Sequence, residues 1–206
     1  MSERGTRRQA RRGRRTWLRC AALLAPAALV AAARAGGPLE APAGDRALVE
    51  ILSGIDYVPS RGTIDDVLGE AAPEDLIDIA RGVEGGEDPG LRVRAYRALA
   101  LYPSEETRAA LRAAIAEHGA VAGGVDTLYL RAALGSLARV DGEAAVPDLG
   151  PLLGHPSRDV RAEAALALGE TGAEAAVPIL RARLPLESVA QVRLAIAEAL
   201  RALEAD

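Results

Sequence analysis

Apolar and polar positions along this chain follow the period of an α-helix. The clearest stretch runs from Asp159 to Gly169, where Val160, Ala164, Ala165 and Leu168 fall at helical spacing and so share one face. Gly169 and Gly172 supply the end of that helix, and Pro178 falls in the first turn of a second one, where its missing N–H costs little. The pattern predicts a helical hairpin whose apolar face cannot be buried by the hairpin alone.

The hairpin recurs. Glu143-Ala-Ala-Val-Pro147-Asp-Leu149 returns as Glu174-Ala-Ala-Val-Pro178-Ile-Leu180, 31 residues later. An aliphatic residue followed by arginine appears as Val93-Arg94, Leu130-Arg131, Val160-Arg161 and Val192-Arg193, with the arginines 37, 30 and 32 residues apart. Four positions after each stands a small residue, Ala98, Gly135, Ala165 or Ala197, which would let a neighbouring helix approach closely. One hairpin per repeat, stacked so that successive apolar faces cover each other, is the architecture this spacing predicts.

Upstream the pattern is helical without the repeat. Leu48, Ile51, Leu52 and Ile55 form an apolar face, Asp56-Tyr57-Val58-Pro59 reads as a turn, and Ile64, Val67 and Leu68 precede the run Pro73 to Ala80. Residues 45–87 read as a helical capping unit on the first full repeat, starting at the N-cap residue Asp45 and ending in a solvated, glycine-rich and acidic linker, Gly82 to Pro89. Residues 88–206 hold the repeats, and residues 36–44, with their glycines and prolines, read as a flexible leader.

The first 35 residues differ in charge. They hold nine Arg and one acid, Glu3, whereas residues 36–206 hold 16 Arg against 28 acids, a net −12. A basic start, an uncharged run from Ala21 to Ala33 and small residues around Ala33-Arg34-Ala35 are the layout of a signal peptide cleaved after Ala35. The uncharged run reaches about 20 Å as a helix, short of the ~30 Å hydrocarbon core. Arg14-Arg15-Thr16-Trp17-Leu18-Arg19 resembles the twin-arginine export motif. An ordinary secretory signal is the alternative, and an uncleaved segment over residues 17–35 would instead anchor the chain in the inner membrane. Cys20, directly after Arg19, is read as incidental to the signal and leaves the mature chain without cysteine.

Composition excludes several chemistries. No lysine occurs, which removes a Walker-type phosphate loop and Schiff-base catalysis, and one Cys with two His gives no thiolate zinc site. The acidic body argues against nucleic-acid binding. His118 and His155 stand at inferred helix ends, where imidazole serves carbonyls and the dipole, and neither has a visible partner in the sequence. The pairs Asp65-Asp66, Glu74-Asp75 and Glu105-Glu106 are read as early-helix acids complementing the dipole, and Asp141-Gly142-Glu143 is too short for a calcium loop. No catalytic, cofactor-binding or metal-ligating residue is assigned.

The arginines Arg94, Arg131, Arg161 and Arg193 recur at one repeat position and are read as structural, with their heads paired to carboxylates of adjacent repeats. A surface that recognises a partner should vary between repeats. The second helices do so through Arg108 and Arg112, then Asp148, then Arg181 and Arg183, and these five form the candidate partner-binding face.

At Asp159 through Gly169 the chain resembles the HEAT-repeat family in its short bacterial form, the phycobilisome-lyase-like HEAT repeats. The family pattern of Asp, one or two residues, Val-Arg, spaced alanines and Ala-Leu-Gly is matched most fully there, and the resemblance extends over Asp88 to Ala205, with Arg92 and Gln191 standing where Asp159 stands and Asp126 displaced relative to Arg131. The resemblance implies an all-α, right-handed α-solenoid of antiparallel helix pairs whose second helices line the concave side. Two functions follow as expectations. The first is an exported, non-catalytic and monomeric scaffold that binds a protein partner in the periplasm or outside the cell. The second is a lyase-like enzyme or enzyme accessory, because some relatives attach chromophores to phycobiliproteins. That attachment is an intracellular task, and the export signal argues against it.

Overall fold

The computed structural model describes residues 50–52, 58–83 and 88–205, and every regular element among them is helical. The signal segment, the leader, Asp45, Leu48, Ile55 to Tyr57 and positions 84–87 of the linker lie outside the described residues.

Helix α1 (Arg61–Leu68) begins where the Ser60 hydroxyl accepts the Thr63 N–H at 3.2 Å. A short 3₁₀ turn leads into α2 (Ala72–Arg81), which has Pro73, Glu74 and Asp75 in its first turn. The α2 helix ends at Gly82, whose φ of 78° closes a left-handed cap in which its own N–H and that of Val83 bond back to Ile79 and Asp78. Asp65 and Asp66 are not early in a helix as expected. The helix starts at Arg61, so Asp65 lies in its middle, accepting from Arg61 at 3.3 Å and from the Tyr102 hydroxyl at 2.7 Å.

Two layers follow. The first holds α3 (Pro89–Ala98), α5 (Asp126–Asp141), α7 (Arg158–Glu170) and α9 (Ala190–Leu203), each packed on the next, with α2 against α3. The second holds α4 (Glu105–His118), the four-residue α6 (Val146–Leu149) between two 3₁₀ turns, and α8 (Ala176–Arg183). Asp88 and Ser104 cap α3 and α4 through their side chains. The α5 helix is buried almost all round, from Tyr129 to Val140, as befits the helix packed against both α3 and α7 in its own layer and α4 in the other. Inside that contact the Ser136 hydroxyl donates to the Tyr96 carbonyl of α3 at 2.8 Å. The middle repeat's second helix is only a turn long, passing at Gly150 and Pro151 into a 3₁₀ stretch that ends at Gly154.

The glycines of the best-preserved hairpin divide their work differently from expectation. Gly169 does not end α7 but lies inside it, and a Cβ there would sit 2.8 Å from Ala199 Cα of α9. The stop is Gly172, with φ of 64°. Gly135 is also buried, but its would-be Cβ meets only the end of the Glu163 side chain, at 3.4 Å. Of these two buried glycines, Gly169 is the one that lets a neighbouring repeat's backbone come close, at Ala199.

Candidate functional site

Three of the five candidate surface residues converge. Arg108 and Arg112 project from α4 toward Asp141, the last residue of α5: Arg108 Nε donates at 2.9 Å, and an Arg112 terminal nitrogen bonds the second carboxylate oxygen. Arg112 Nε also donates to Asp148 of α6 at 2.8 Å. The Asp148 bond is the main reason the Arg112 guanidinium holds its proton above the usual arginine range, with Asp141 adding to it. Asp141, the residue weighed for a calcium loop, instead anchors two guanidiniums and is nearly buried. Its signal in the sequence was absent, because the acid lies 29 residues from Arg112.

Arg181 and Arg183 lie apart from that group. Arg181 makes an exposed pair with Glu204 of α9 at 2.9 Å. Arg183 turns inward to Glu187, whose side chain is 1% exposed and which also receives two bonds from Arg161, at 2.8 and 3.1 Å, and the Val189 N–H at 3.0 Å. The Arg161 hydrogen bonds, helped by Arg183 and Val189 and opposed by burial, lower the Glu187 carboxyl from its ordinary 4.5 to about 2.

The recurring arginines do not form one uniform ladder. Arg131 reaches Glu163 of the next repeat at 3.3 Å, and Arg161 reaches Glu187 ahead of α9. Arg94 instead pairs with Asp88 at the start of its own helix, at 3.6 Å. Arg193 donates to the Glu187 and Leu184 carbonyls. Arg92 stands at the repeat position that Asp159 occupies later, and its guanidinium lies 4.2 Å over the Tyr129 ring and donates to the Ala80 carbonyl. No carboxylate is then available at that position for a neighbouring arginine.

Both histidines have partners that the sequence did not reveal. His118 Nδ1 lies 2.8 Å from Asp126 at the start of α5, and its ring leans on Tyr129 with centroids 5.2 Å apart. It thus joins two helices, rather than serving the carbonyls of its own. His155 caps a 3₁₀ turn, where its Nδ1 accepts the Ser157 N–H at 3.1 Å. Both Nε2 atoms are buried without a hydrogen-bond partner. Among the described residues there is no group of three or more His, Cys, Asp or Glu that could hold a metal ion.

A concavity that sequence reasoning missed opens on the first layer. A groove of about 590 Å³ runs across α3, α5 and α7, floored by Ala100, Leu101, Ala132 and Gly135 and bordered by Val58 to Ser60. Arg97, Arg131, Arg139 and Glu163 supply its charges. Its residues come from four separate stretches of chain, so no local motif announces it.

No curated protein matches the chain. The family model described as HEAT repeats matches residues 122–201, which run from the turn before α5 into the last turn of α9, and this match supports a HEAT-repeat family for the chain.

Proposed function

We propose that this chain is an exported, non-catalytic scaffold of the phycobilisome-lyase-like HEAT type that brings protein partners together. The observation that carries the reading is the stack itself, whose hairpins bury their apolar faces on each other and leave charged side chains of both layers at the surface. HEAT repeats often mediate protein–protein interaction. The export part of the proposal rests on the basic start and uncharged run of residues 1–35. The candidate face is the second layer, with Arg108, Arg112, Asp148, Arg181 and Arg183. Of these Arg181 is the most exposed, at 64% of its side chain, and is the cleanest probe.

The test is affinity capture of the tagged chain from the exported fraction of its native cell, identifying eluted proteins by mass spectrometry. A partner lost on Arg181→Glu supports the reading and its face. Arg112→Glu is a poorer probe, because it would set a carboxylate against Asp141 and Asp148 and loosen the fold. Recovery of the chain only in the cytoplasm, or of no specific partner, counts against the proposal.

A further inference from the structure

We propose that the first-layer groove is a second docking site, taking an extended acidic segment of a partner protein whose carboxylates are held by Arg97, Arg131 and Arg139. The proposal rests on the scaffold reading only in making the occupant a protein.

Charge carries the argument. Three guanidiniums line the groove against one carboxylate, Glu163. Arg97 is exposed and makes no hydrogen bond or ion pair among the described residues. Arg131 gives one terminal nitrogen to Glu163 at 3.3 Å, and Arg139 gives one to Glu170 at 3.0 Å. Each guanidinium carries five N–H donors, and one bond to a neighbouring carboxylate does not exhaust those of its terminal nitrogens. A smaller concavity of about 220 Å³ beside Arg97 adds Arg94, itself paired with Asp88, and the half-exposed Leu128. By contrast four other arginines are matched: Arg108 and Arg112 have Asp141 and Asp148, and Arg161 and Arg183 have Glu187.

Shape and surroundings narrow the occupant. The floor of small and aliphatic residues suits an extended strand that alternates acidic with small apolar side chains, and the groove lies within the ~300–1,000 Å³ of ligand clefts. A long polyanion such as nucleic acid would run on from the groove over a body of net −12, whereas a short acidic segment ends within it. The chain's own first 35 residues carry nine Arg and so share the sign of the groove.

The test uses the full chain and a fluorescein-labelled peptide of about eight residues, ~26 Å when extended, alternating Glu and Ala around a photo-reactive benzophenone residue. Because the basic first 35 residues attract any acidic peptide, affinity is compared between variants by fluorescence anisotropy, and adducts are mapped by mass spectrometry. Arg97→Glu should weaken binding about tenfold, ~1.4 kcal/mol. Arg97→Gln should weaken it by a few fold, Arg181→Glu should leave it unchanged, and adducts should fall on α3 and α5. Circular dichroism confirms that each variant is folded. Equal affinity in Arg97→Glu and Arg97→Gln, adducts confined to residues 1–35 or to the second layer, or binding by a phosphoserine peptide alone would each overturn the proposal. If a native partner is captured and binds Arg97→Glu as tightly as the parent chain, the groove fails while the scaffold reading stands.

Discussion

The two helix layers solve one problem in different ways. In the first, α5, α7 and α9 have 16, 13 and 14 residues and meet through small and aliphatic side chains, down to the backbone approach of Gly169 and Ala199. In the second, α4 has 14 residues but α6 and α8 only 4 and 8, and Arg112 reaches Asp148 of α6 while Arg181 and Arg183 reach Glu204 and Glu187. The first layer's own ion pairs, Arg131 to Glu163 and Arg139 to Glu170, lie over an apolar contact already made. Apolar contact rewards length and exact fit, while a flexible guanidinium reaches its carboxylate across irregular backbone. The difference teaches that the first layer sets the stacking geometry and the second tolerates interruption by glycine and proline.

The largest effect should come from the first layer. Leu134→Ala removes a side chain with no exposure from the centre of α5, and should cost about 4 kcal/mol in denaturant unfolding. A loss below about 1 kcal/mol would mean that α5 is not the organising helix. Next is the buried acid that Arg161 and Arg183 share. Glu187→Gln should cost about 3 kcal/mol at neutral pH, because it leaves Arg161 and Arg183 without their charge partner.

The same variant carries a pH signature. The carboxyl of Glu187 titrates lower in the folded chain than its ordinary 4.5, so its stabilisation is fully present above about 4.5 and is lost as pH falls toward about 2. The stability gap between parent and Glu187→Gln should therefore narrow over that window, and a gap independent of pH would remove the ion-pair account.

Gly169→Ala sets helix propensity against fit. Alanine gains up to about 1 kcal/mol in a helix interior, but its Cβ would lie 2.9 Å from that of Ala199, and overpacking costs about 1–3 kcal/mol. A net loss of about 1 kcal/mol is expected, and a more stable variant would show that α7 and α9 can separate cheaply. The smallest effect belongs to Arg181→Ala, below about 0.5 kcal/mol for so exposed a pair. A larger loss would contradict the division between layers.

What the sequence disclosed follows from how local each feature is. The hairpin of α7 and α8 was legible because its apolar face, its glycine stop and Pro178 all lie within two dozen residues. Gly169 was misplaced because a glycine that stops a helix and one that admits a neighbour look alike until the neighbour is in position. The longer-range ion-pair partners were hidden for a related reason: Asp141 and Glu187 sit at a helix end and in a loop, 29 residues from Arg112 and 26 from Arg161. Asp126 as the partner of His118 and the groove around Arg97 likewise exist only once α3, α4 and α5 are packed.

The hydrogen bond from Ser136 to the Tyr96 carbonyl bears on fidelity rather than strength. Helix faces rich in alanine are nearly interchangeable along their length, so two of them can slide by a residue or a turn and still bury similar area. A slide of α5 against α3 would carry the hydroxyl away from its acceptor and strand both groups out of reach of water, at about 1–3 kcal/mol for each. One serine among the alanines and leucines thus marks the correct alignment of two otherwise repetitive surfaces, as a single tooth indexes a smooth rack.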